Sequence, residues 1–243
     1  MKKTNLSIAY LAIVGVFLCV GCNDGGVESG GGDAVAYLNW FFGSKNGKQP
    51  LIDERNGKTY RTTTIGIQTW MAENLNYKTG NSRCYGDEDS NCVKYGRLYD
   101  WATATNVCPE GWRLPSIPDM DYLTVRLGYD YDVIGGKLKA KSGWSYCDLW
   151  NLDGVNADGT DNYGFSALPG GRFYRDAFEE VQCVGYWWAW AEELDVKERF
   201  VSIEINSYFQ RIEMSGHIFE DGVSLFEDDS EHMMHSVRCL LDD

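Results

Sequence analysis

The cysteines of this chain constrain its fold more than any other sequence feature. The chain has 8 of them, and Cys19 and Cys22 close an N-terminal apolar run. The remaining six are Cys84, Cys92, Cys108, Cys147, Cys183 and Cys239. An even set of cysteines in an exported chain predicts disulfides, so these six predict three bridges. They are scattered and include no Cys-x-x-Cys pair, which makes zinc binding the less favoured alternative.

The N-terminus predicts export. A basic start precedes an apolar run that ends at Val20 and is short for a membrane span. Gly21 then precedes Cys22, the order that lipoprotein processing requires before the thiol is acylated. The usual leucine three positions earlier is Cys19, so simple secretion remains an alternative. We expect residues 1–21 to be a lipoprotein signal peptide and Cys22 to be the lipidated end of an outer-membrane or cell-surface protein.

The rest of the chain divides into a tether and a domain. Residues 22–50 combine the lipidated cysteine with a flexible Gly-rich tether and a short apolar segment, and residues 51–243 suffice for one domain. The formal net charge is -14, and it becomes about -16 once Lys2 and Lys3 leave with the signal. This charge disfavours nucleic acid and anionic headgroups, so we expect membrane contact through the lipid anchor only.

Local patterns predict a few elements. Asn56-Gly57 separates two runs of β-branched and aromatic residues, which predicts a hairpin and two or three strands before Asn74. The segment "YGRLYDWATAT", which starts at Tyr95, has apolar residues at helical spacing and predicts a short helix or turn. No second long helix is expected after Gly135.

One amphipathic helix is predicted after Pro115. Ser116 is a candidate N-cap with Asp119 as its acidic partner three residues later. Met120, Leu123 and Leu127 then fall on one face of the helix.

Several long motifs carry a family resemblance. They include "VCPEGWRLPS", "GGKLKAKSGW", "GTDNYGFSALPGGR", "GYWWAWAEE" and "SVRCLLD", in that order. The chain from about Leu51 to Asp243 resembles the Fibrobacter succinogenes major paralogous domain family. That family is similar to the C-type-lectin-like fold and its formylglycine-generating-enzyme branch. The resemblance implies a single α+β domain of this fold, with short antiparallel strands and long loops around one or two helices.

The disulfide pairing is expected on three different grounds. Cys84 and Cys92 enclose a small polar loop and can pair locally. The resemblance implies that the N- and C-terminal strands lie together, so that Cys108 before the first helix pairs with Cys239 on the last strand. Cys147 and Cys183 then remain as the third pair. The prolines of the "CPEGWRLPS" junction fix the turn between strand and helix.

No catalytic residue is assigned. The enzymatic branch of the fold uses reactive cysteines, whereas each mature cysteine here has an expected partner. His217, His232 and His235 are too few and too clustered for a triad. His232 and His235 of "HMMH" could together bind a metal ion, but the favoured interpretation is that both are solvated loop residues. An oxidase of the formylglycine-generating type is the second alternative function.

The loop "LDGVNADGTDNYG" concentrates oxygen ligands. Hard cations prefer several such oxygens, and calcium binds in many lectin-like folds. Gly154 breaks the EF-hand pattern, so turn chemistry is the favoured interpretation and calcium the alternative. The candidate calcium ligands are Asp158, Asp161 and Asn162; no other cofactor is expected.

The stretch "GYWWAWAEE" predicts the binding surface. As a strand it places Tyr186, Trp188 and Trp190 on one face and Trp187 on the other. Neighbouring tryptophans that point oppositely are not all expected in a core. Trp187 and Trp188 are expected to be buried, whereas the family resemblance implies a small polar residue where Trp190 stands, so Trp190 is expected at the surface.

Exposed aromatic rings stack on sugar faces, and carboxylates accept hydrogen bonds from hydroxyls. The candidate ligand-binding residues are therefore Trp190, Glu192, Glu193 and Tyr186. The sequence thus predicts a non-catalytic lipoprotein that recognises polysaccharide or another cell-surface ligand. A structural or protein-adhesion scaffold is the alternative function.

Overall fold

The computed structural model describes residues 49–146, 157–190, 200–206, 212–216 and 233–242. The strands there are β1 Leu51–Asp53, β2 Lys58–Tyr60, β3 Thr62–Ile65, β4 Gln68–Met71, β5 Ser82–Arg83, β6 Leu98–Tyr99, β7 Trp112–Arg113, β8 Arg172–Tyr174, β9 Ala177–Glu179, β10 Val184–Trp190, β11 Phe200–Asn206, β12 Ile212–Gly216, β13 Met233–Ser236 and β14 Leu240–Leu241. The α-helices are α1 Asp89–Tyr95, α2 Trp101–Ala104, α3 Ile117–Leu127 and α4 Tyr131–Leu138, with a 3₁₀ turn at Tyr85–Asp87. The expected α+β class with mostly antiparallel strands is confirmed.

The C-terminal strand lies in the middle of a four-stranded sheet. The strand order is β3-β4-β14-β7, and Leu240 pairs with both Trp70 of β4 and Arg113 of β7. The resemblance implied that the N- and C-terminal strands lie together, and the pairing of β14 with the N-terminal strand β4 shows this arrangement. Because β14 is flanked on both sides, the C-terminal segment holds this sheet together.

A larger sheet of eight strands carries the aromatic stretch. Its order is β12-β11-β10-β13-β6-β5, and the β8–β9 hairpin joins it through β13. Strand β10 is antiparallel to β11 over seven residue pairs and parallel to β13 at Trp187 and Ser236. The seven-residue strand β10 therefore lies inside the sheet, hydrogen-bonded on both edges.

The predicted hairpin at Asn56-Gly57 is confirmed. Strands β1 and β2 pair antiparallel, and the amides of Asn56 and Gly57 donate to the carbonyl oxygen of Asp53. Gly57 has φ of 71°, a left-handed conformation in which glycine avoids a steric penalty. Four strands precede Asn74, which is more than the two or three predicted, because β3 and β4 form a second hairpin.

Helix α3 begins as predicted. The Ser116 side chain accepts a hydrogen bond from the Asp119 amide, and the Asp119 side chain accepts one from the Ser116 amide, which completes a capping box. Met120, Leu123 and Leu127 are buried on one face. The helix ends at Gly128, whose φ of 107° reverses the chain.

Two expectations about helices need correction. The segment after Tyr95 is not one short helix, because Leu98 pairs with strands β5 and β13 and so forms strand β6. Helix α2 starts only at Trp101, where the Asp100 side chain accepts a hydrogen bond from the Thr103 amide. The resemblance also implied one or two helices, whereas the described residues contain four, of which α3 and α4 are the longest. None of the described helices combines the length and hydropathy needed to cross a membrane.

Two hydrophobic cores lie on opposite faces of β10. Trp187 and Ala189 pack in one core with Trp70 and the buried face of α3. Trp188 packs in the other core with Trp101. Both central tryptophans are therefore buried, as predicted, although they point to opposite sides of the sheet.

The structure confirms two predicted disulfides, Cys84–Cys92 and Cys108–Cys239. The second joins the loop before β7 to the residue before β14, so it fastens the four-stranded sheet. Cys183 is also disulfide-bonded, and its predicted partner Cys147 lies outside the described residues.

We expect the two confirmed disulfides to differ in their effect on stability. They close loops of 8 and 131 residues in sequence separation. Loop entropy assigns about 2.5 kcal/mol to the short bridge and about 5 kcal/mol to the long one. Replacement of Cys108 and Cys239 by alanine should therefore lower the melting temperature much more than replacement of Cys84 and Cys92. Equal losses in thermal melting would contradict this expectation.

Candidate functional site

The end of strand β10 presents an aromatic residue at the surface. Trp188 is fully buried, whereas Trp190, two residues later on the same side of the strand, is 38% exposed. The exposure predicted for Trp190 is therefore confirmed. The seven residues of β10 pass from a buried interior to an exposed end within one strand.

Trp190 forms the outer end of a row of stacked rings. Its ring stacks on Trp101 with centroids 5.5 Å apart and an interplanar angle of 23°. Trp101 contacts Trp188 at 5.5 Å, Trp188 stacks on His235 at 4.2 Å, and His235 stacks on Tyr186 at 5.2 Å. Because Trp101 is itself buried, it supports Trp190 from behind and leaves the indole a fixed platform. We call the Trp190 ring, backed by Trp101, the tryptophan platform.

The backbone of Trp190 is fastened to the start of helix α3. Its amide donates to the Pro115 carbonyl oxygen at 2.8 Å, and Trp190 forms a parallel bridge with Ser116. The indole N–H of Trp188 donates to the Tyr99 carbonyl oxygen at 2.7 Å, which fixes the strand one step further in. The strand-to-helix junction therefore positions the tryptophan platform as well as capping the helix.

Tyr186 does not share the surface with Trp190. It is 4% exposed, and its hydroxyl donates to Glu180 Oε2 at 2.5 Å. Burial raises the pKa of this phenol, and the Arg172 guanidinium lies 4.7 Å above its ring. A place for Tyr186 beside Trp190 at the surface is therefore wrong, because the residue lies at the inner end of the ring row. Its contact with a ligand stays a prediction. The predicted residues Glu192 and Glu193 lie outside the described residues.

The predicted calcium ligands hold the backbone of their own region. Asp161 accepts hydrogen bonds from the amide and the hydroxyl of Ser166, both at 2.7 Å. Asp158 accepts from the Trp144 amide at 3.0 Å, and the Asn162 amide donates to a backbone carbonyl of α4. In the described ranges, no group of three or more His, Cys, Asp or Glu side chains is placed to hold a metal ion. Calcium binding by these residues stays an untested prediction.

A buried lysine lies close to the predicted calcium region. Lys139 is 1% exposed, and its ammonium lies 4.8 Å from the centre of the Trp144 ring. Burial lowers the pKa of Lys139 to about 8, and the negative charge of Asp158 offsets part of this shift by raising the pKa. Asp158 therefore already interacts with a cation supplied by the chain.

The histidine motif is also placed differently from the prediction. His235 is not a solvated loop residue: it is 1% exposed and lies in strand β13 between two aromatic rings. Its burial follows from the pairing of β13 with β6 and β10. His217 and His232 lie outside the described residues.

A surface groove lies beside the N-terminus of α3, and sequence reasoning missed it. The groove has a volume of about 220 Å³ and is lined by Ile67, Gln68, Arg113, Pro118, Asp119, Tyr122, Leu240 and Leu241. The carboxylate in its polar wall already has hydrogen-bond partners within the chain. Asp119 accepts from Arg113 at 2.6 and 2.9 Å, from the Ser116 amide and hydroxyl, and from Gln68. Burial raises the pKa of Asp119, but these hydrogen bonds outweigh it and hold the pKa below its usual value. The groove thus offers mainly apolar surface.

The described residues therefore define a class: a disulfide-bonded α+β domain with a partly exposed tryptophan at the end of one strand. Within that class, the chain belongs to the Fibrobacter succinogenes major domain family, whose model matches residues 63–240. The family predicted from the sequence motifs is thereby confirmed. No curated protein and no solved structure matches the chain.

The buried position of Lys139 predicts a pH-dependent contribution to stability. The folded-state pKa is about 8 and the ordinary value is 10.5, so between these values the unfolded state binds more protons and stability rises with pH. Below pH 8 both states are protonated and the burial penalty is complete. The stability of Lys139→Met relative to wild type should therefore fall as pH rises from 8 to about 10.

Urea unfolding across this pH range measures the difference. The exposed neighbour Lys141, changed to Met, serves as the matched control, and its difference from wild type should be independent of pH. A flat difference for Lys139→Met as well would show that Lys139 does not titrate between the two values.

Proposed function

We propose that this chain is an exported lipoprotein of the outer membrane or cell surface whose C-type-lectin-like domain recognises polysaccharide without catalysis. The tryptophan platform is the observation that carries the proposal. An indole that is 38% exposed and stacked on a buried second indole is a rigid, flat, apolar surface. The C–H faces of sugar rings stack on such surfaces.

The rigidity of the platform favours binding. Trp190 is held by its ring contact to Trp101 and by the hydrogen bond of its amide to Pro115. A side chain that is ordered before binding loses little conformational entropy when a ligand docks. The net charge of -14 disfavours strongly anionic chains, so neutral polysaccharides fit the proposal better than pectin.

The cysteines support a non-catalytic role. Cys239 is fully buried and bonded to Cys108, and Cys84, Cys92 and Cys183 are also in disulfides. A nucleophilic thiol must be free and reach its substrate. The Cys108–Cys239 bridge joins a half-buried to a fully buried cysteine where the sheet is fastened. This position favours a structural use of these cysteines over an oxidase of the formylglycine-generating type.

Two tryptophan variants test the binding site. Trp190→Ala should weaken retention on insoluble cellulose or xylan and cost less than about 1.5 kcal/mol of stability, because the ring is partly exposed. Trp188→Ala should cost roughly 3 to 5 kcal/mol, because it removes a buried ring and leaves a cavity. Trp190→Phe keeps an aromatic surface and should retain more binding than Trp190→Ala.

Pull-downs and melting curves on the same samples separate the outcomes. Tyr129→Ala is the control, since Tyr129 is a 63% exposed aromatic residue elsewhere on the domain, and it should bind like wild type. Undiminished retention of a stable Trp190→Ala variant on a polysaccharide that wild type binds would place the site elsewhere. Equal losses of stability for Trp188→Ala and Trp190→Ala would place both rings in the core.

The lipid anchor has its own test. If Cys22 carries the lipid, Cys22→Ser should move the protein from the membrane fraction to the soluble fraction. The reason is that a diacylglycerol group supplies the hydrophobic free energy of anchoring. Fractionation followed by immunoblotting measures the shift, and unchanged membrane association of the variant would contradict acylation at this residue.

A further inference from the structure

Helix α3 is apolar on two opposite faces. The first face, with Met120, Leu123 and Leu127, is buried in the core. Pro118, Tyr122 and Val125 are spaced by four and three residues and so fall on the other side of the helix. We call these three residues the outer stripe.

The outer stripe belongs to an exposed apolar region. Val125 is 41% exposed and Pro118 is exposed, while Tyr122 is half-buried and lines the groove together with Ile67 and Leu241. Ile67 is 67% exposed and Leu241 37%. Clustered exposed apolar side chains of this kind mark interaction surfaces more often than single ones do.

Two opposite charges flank the outer stripe. On the helix, Asp121 lies to one side of Tyr122 and Val125, and Arg126 lies to the other side. Both residues are exposed, and the ion pairs within the described residues include neither of them. They are five residues apart, too far along the helix to pair with each other in the way of neighbours three or four apart.

We propose that the outer stripe is a homodimer interface, in which α3 packs in parallel against α3 of a second copy of this chain. Four-three spacing is the spacing of a and d positions in a heptad, which makes Asp121 a g residue and Arg126 the following e residue. In a parallel helix pair, each g residue faces the e residue five positions later on the other helix. Asp121 of each copy then faces Arg126 of the other copy. The two-fold axis makes this contact self-complementary and forms the ion pair twice.

The opposite direction is disfavoured by the same charges. In an antiparallel pair, Asp121 would face Asp121 of the second copy and Arg126 would face Arg126. The groove at the N-terminal end of the stripe is consistent with an apolar contact there, because the Asp119 oxygens are already occupied by Arg113, Ser116 and Gln68. Ile67 and Leu241 extend the apolar surface at that end. This interface is independent of the proposed function.

Sedimentation velocity of the purified chain tests the interface, with Cys22→Ser present so that no lipid drives association. Wild type should dimerise with rising concentration. Asp121→Arg should raise the dimer Kd by about tenfold or more, because it opposes Arg126 of the second copy with a like charge. The double variant Asp121→Arg with Arg126→Asp exchanges the charges and should restore dimerisation. Only a parallel pair predicts this restoration.

Two further variants separate the apolar contact from folding. Val125→Lys should abolish the dimer, whereas Val93→Lys, at an 82% exposed position on α1, should leave it unchanged. Melting curves of all variants check that the domain is folded. A wild-type chain that stays monomeric up to about 0.5 mM overturns the proposal, as does a dimer that is insensitive to Val125→Lys or not restored by the charge exchange. A monomer whose retention on polysaccharide falls with Val125→Lys would assign the face to a sugar ligand instead.

Discussion

The fold depends on the burial of one cation near the C-terminus. Arg238 is 2% exposed, and its Nε donates to Asn74 Oδ1 at 2.8 Å while its Nη atoms donate to the carbonyl oxygens of Phe165 and Ser166. Burial lowers its pKa to about 9. A buried charge is costly unless polar partners replace water, and here amide and carbonyl oxygens do so.

Asn74 also donates to the Tyr95 carbonyl oxygen, so a single amide connects the C-terminal segment to two distant parts of the chain. The position of Arg238 in turn brings the following residues to the centre of the four-stranded sheet.

The same amide connects the C-terminal segment to the aromatic strand. Asn74 Oδ1 accepts from the indole N–H of Trp187 at 2.8 Å as well as from Arg238. Trp187 lies in one core and Trp188 in the other, so β10 can bury consecutive tryptophans only because both of its faces are covered. This two-sided packing fixes the register of the strand and therefore the place where it leaves the core. Trp190 is exposed because it is the last residue of that strand, and it is ordered because the residues before it are held on both sides.

Local chemistry made part of this fold predictable from the sequence. The Ser116 capping box, the Asn56-Gly57 turn and the short Cys84–Cys92 loop each depend on residues close in sequence. The bond between Arg238 and Asn74 joins residues 164 positions apart, and no local pattern indicates it. Strand periodicity placed Tyr186 on the face of Trp190 but could not show that β13 and the β8–β9 hairpin cover the inner end of that face. The groove was missed for a related reason, since its walls come from β4, β7, α3 and β14, which meet only in the folded chain.

The junction before α3 relates the two proposed surfaces to each other. The Trp190 amide is bonded to Pro115, so the tryptophan platform lies at the N-terminal end of the helix, whereas the outer stripe runs along the helix itself. A two-fold axis parallel to α3 keeps the N-termini of both helices at the same end of the dimer. In the proposed parallel pair, both tryptophan platforms therefore lie at one end, where a single long polysaccharide or a flat insoluble surface can reach both.

The apparent affinity of two linked weak sites can exceed that of either single site by about 10²–10⁴ when the geometry permits simultaneous contact. An antiparallel pair would place the platforms at opposite ends and lose this gain. Because the charges of Asp121 and Arg126 set the direction of pairing, they would also decide whether binding is bivalent.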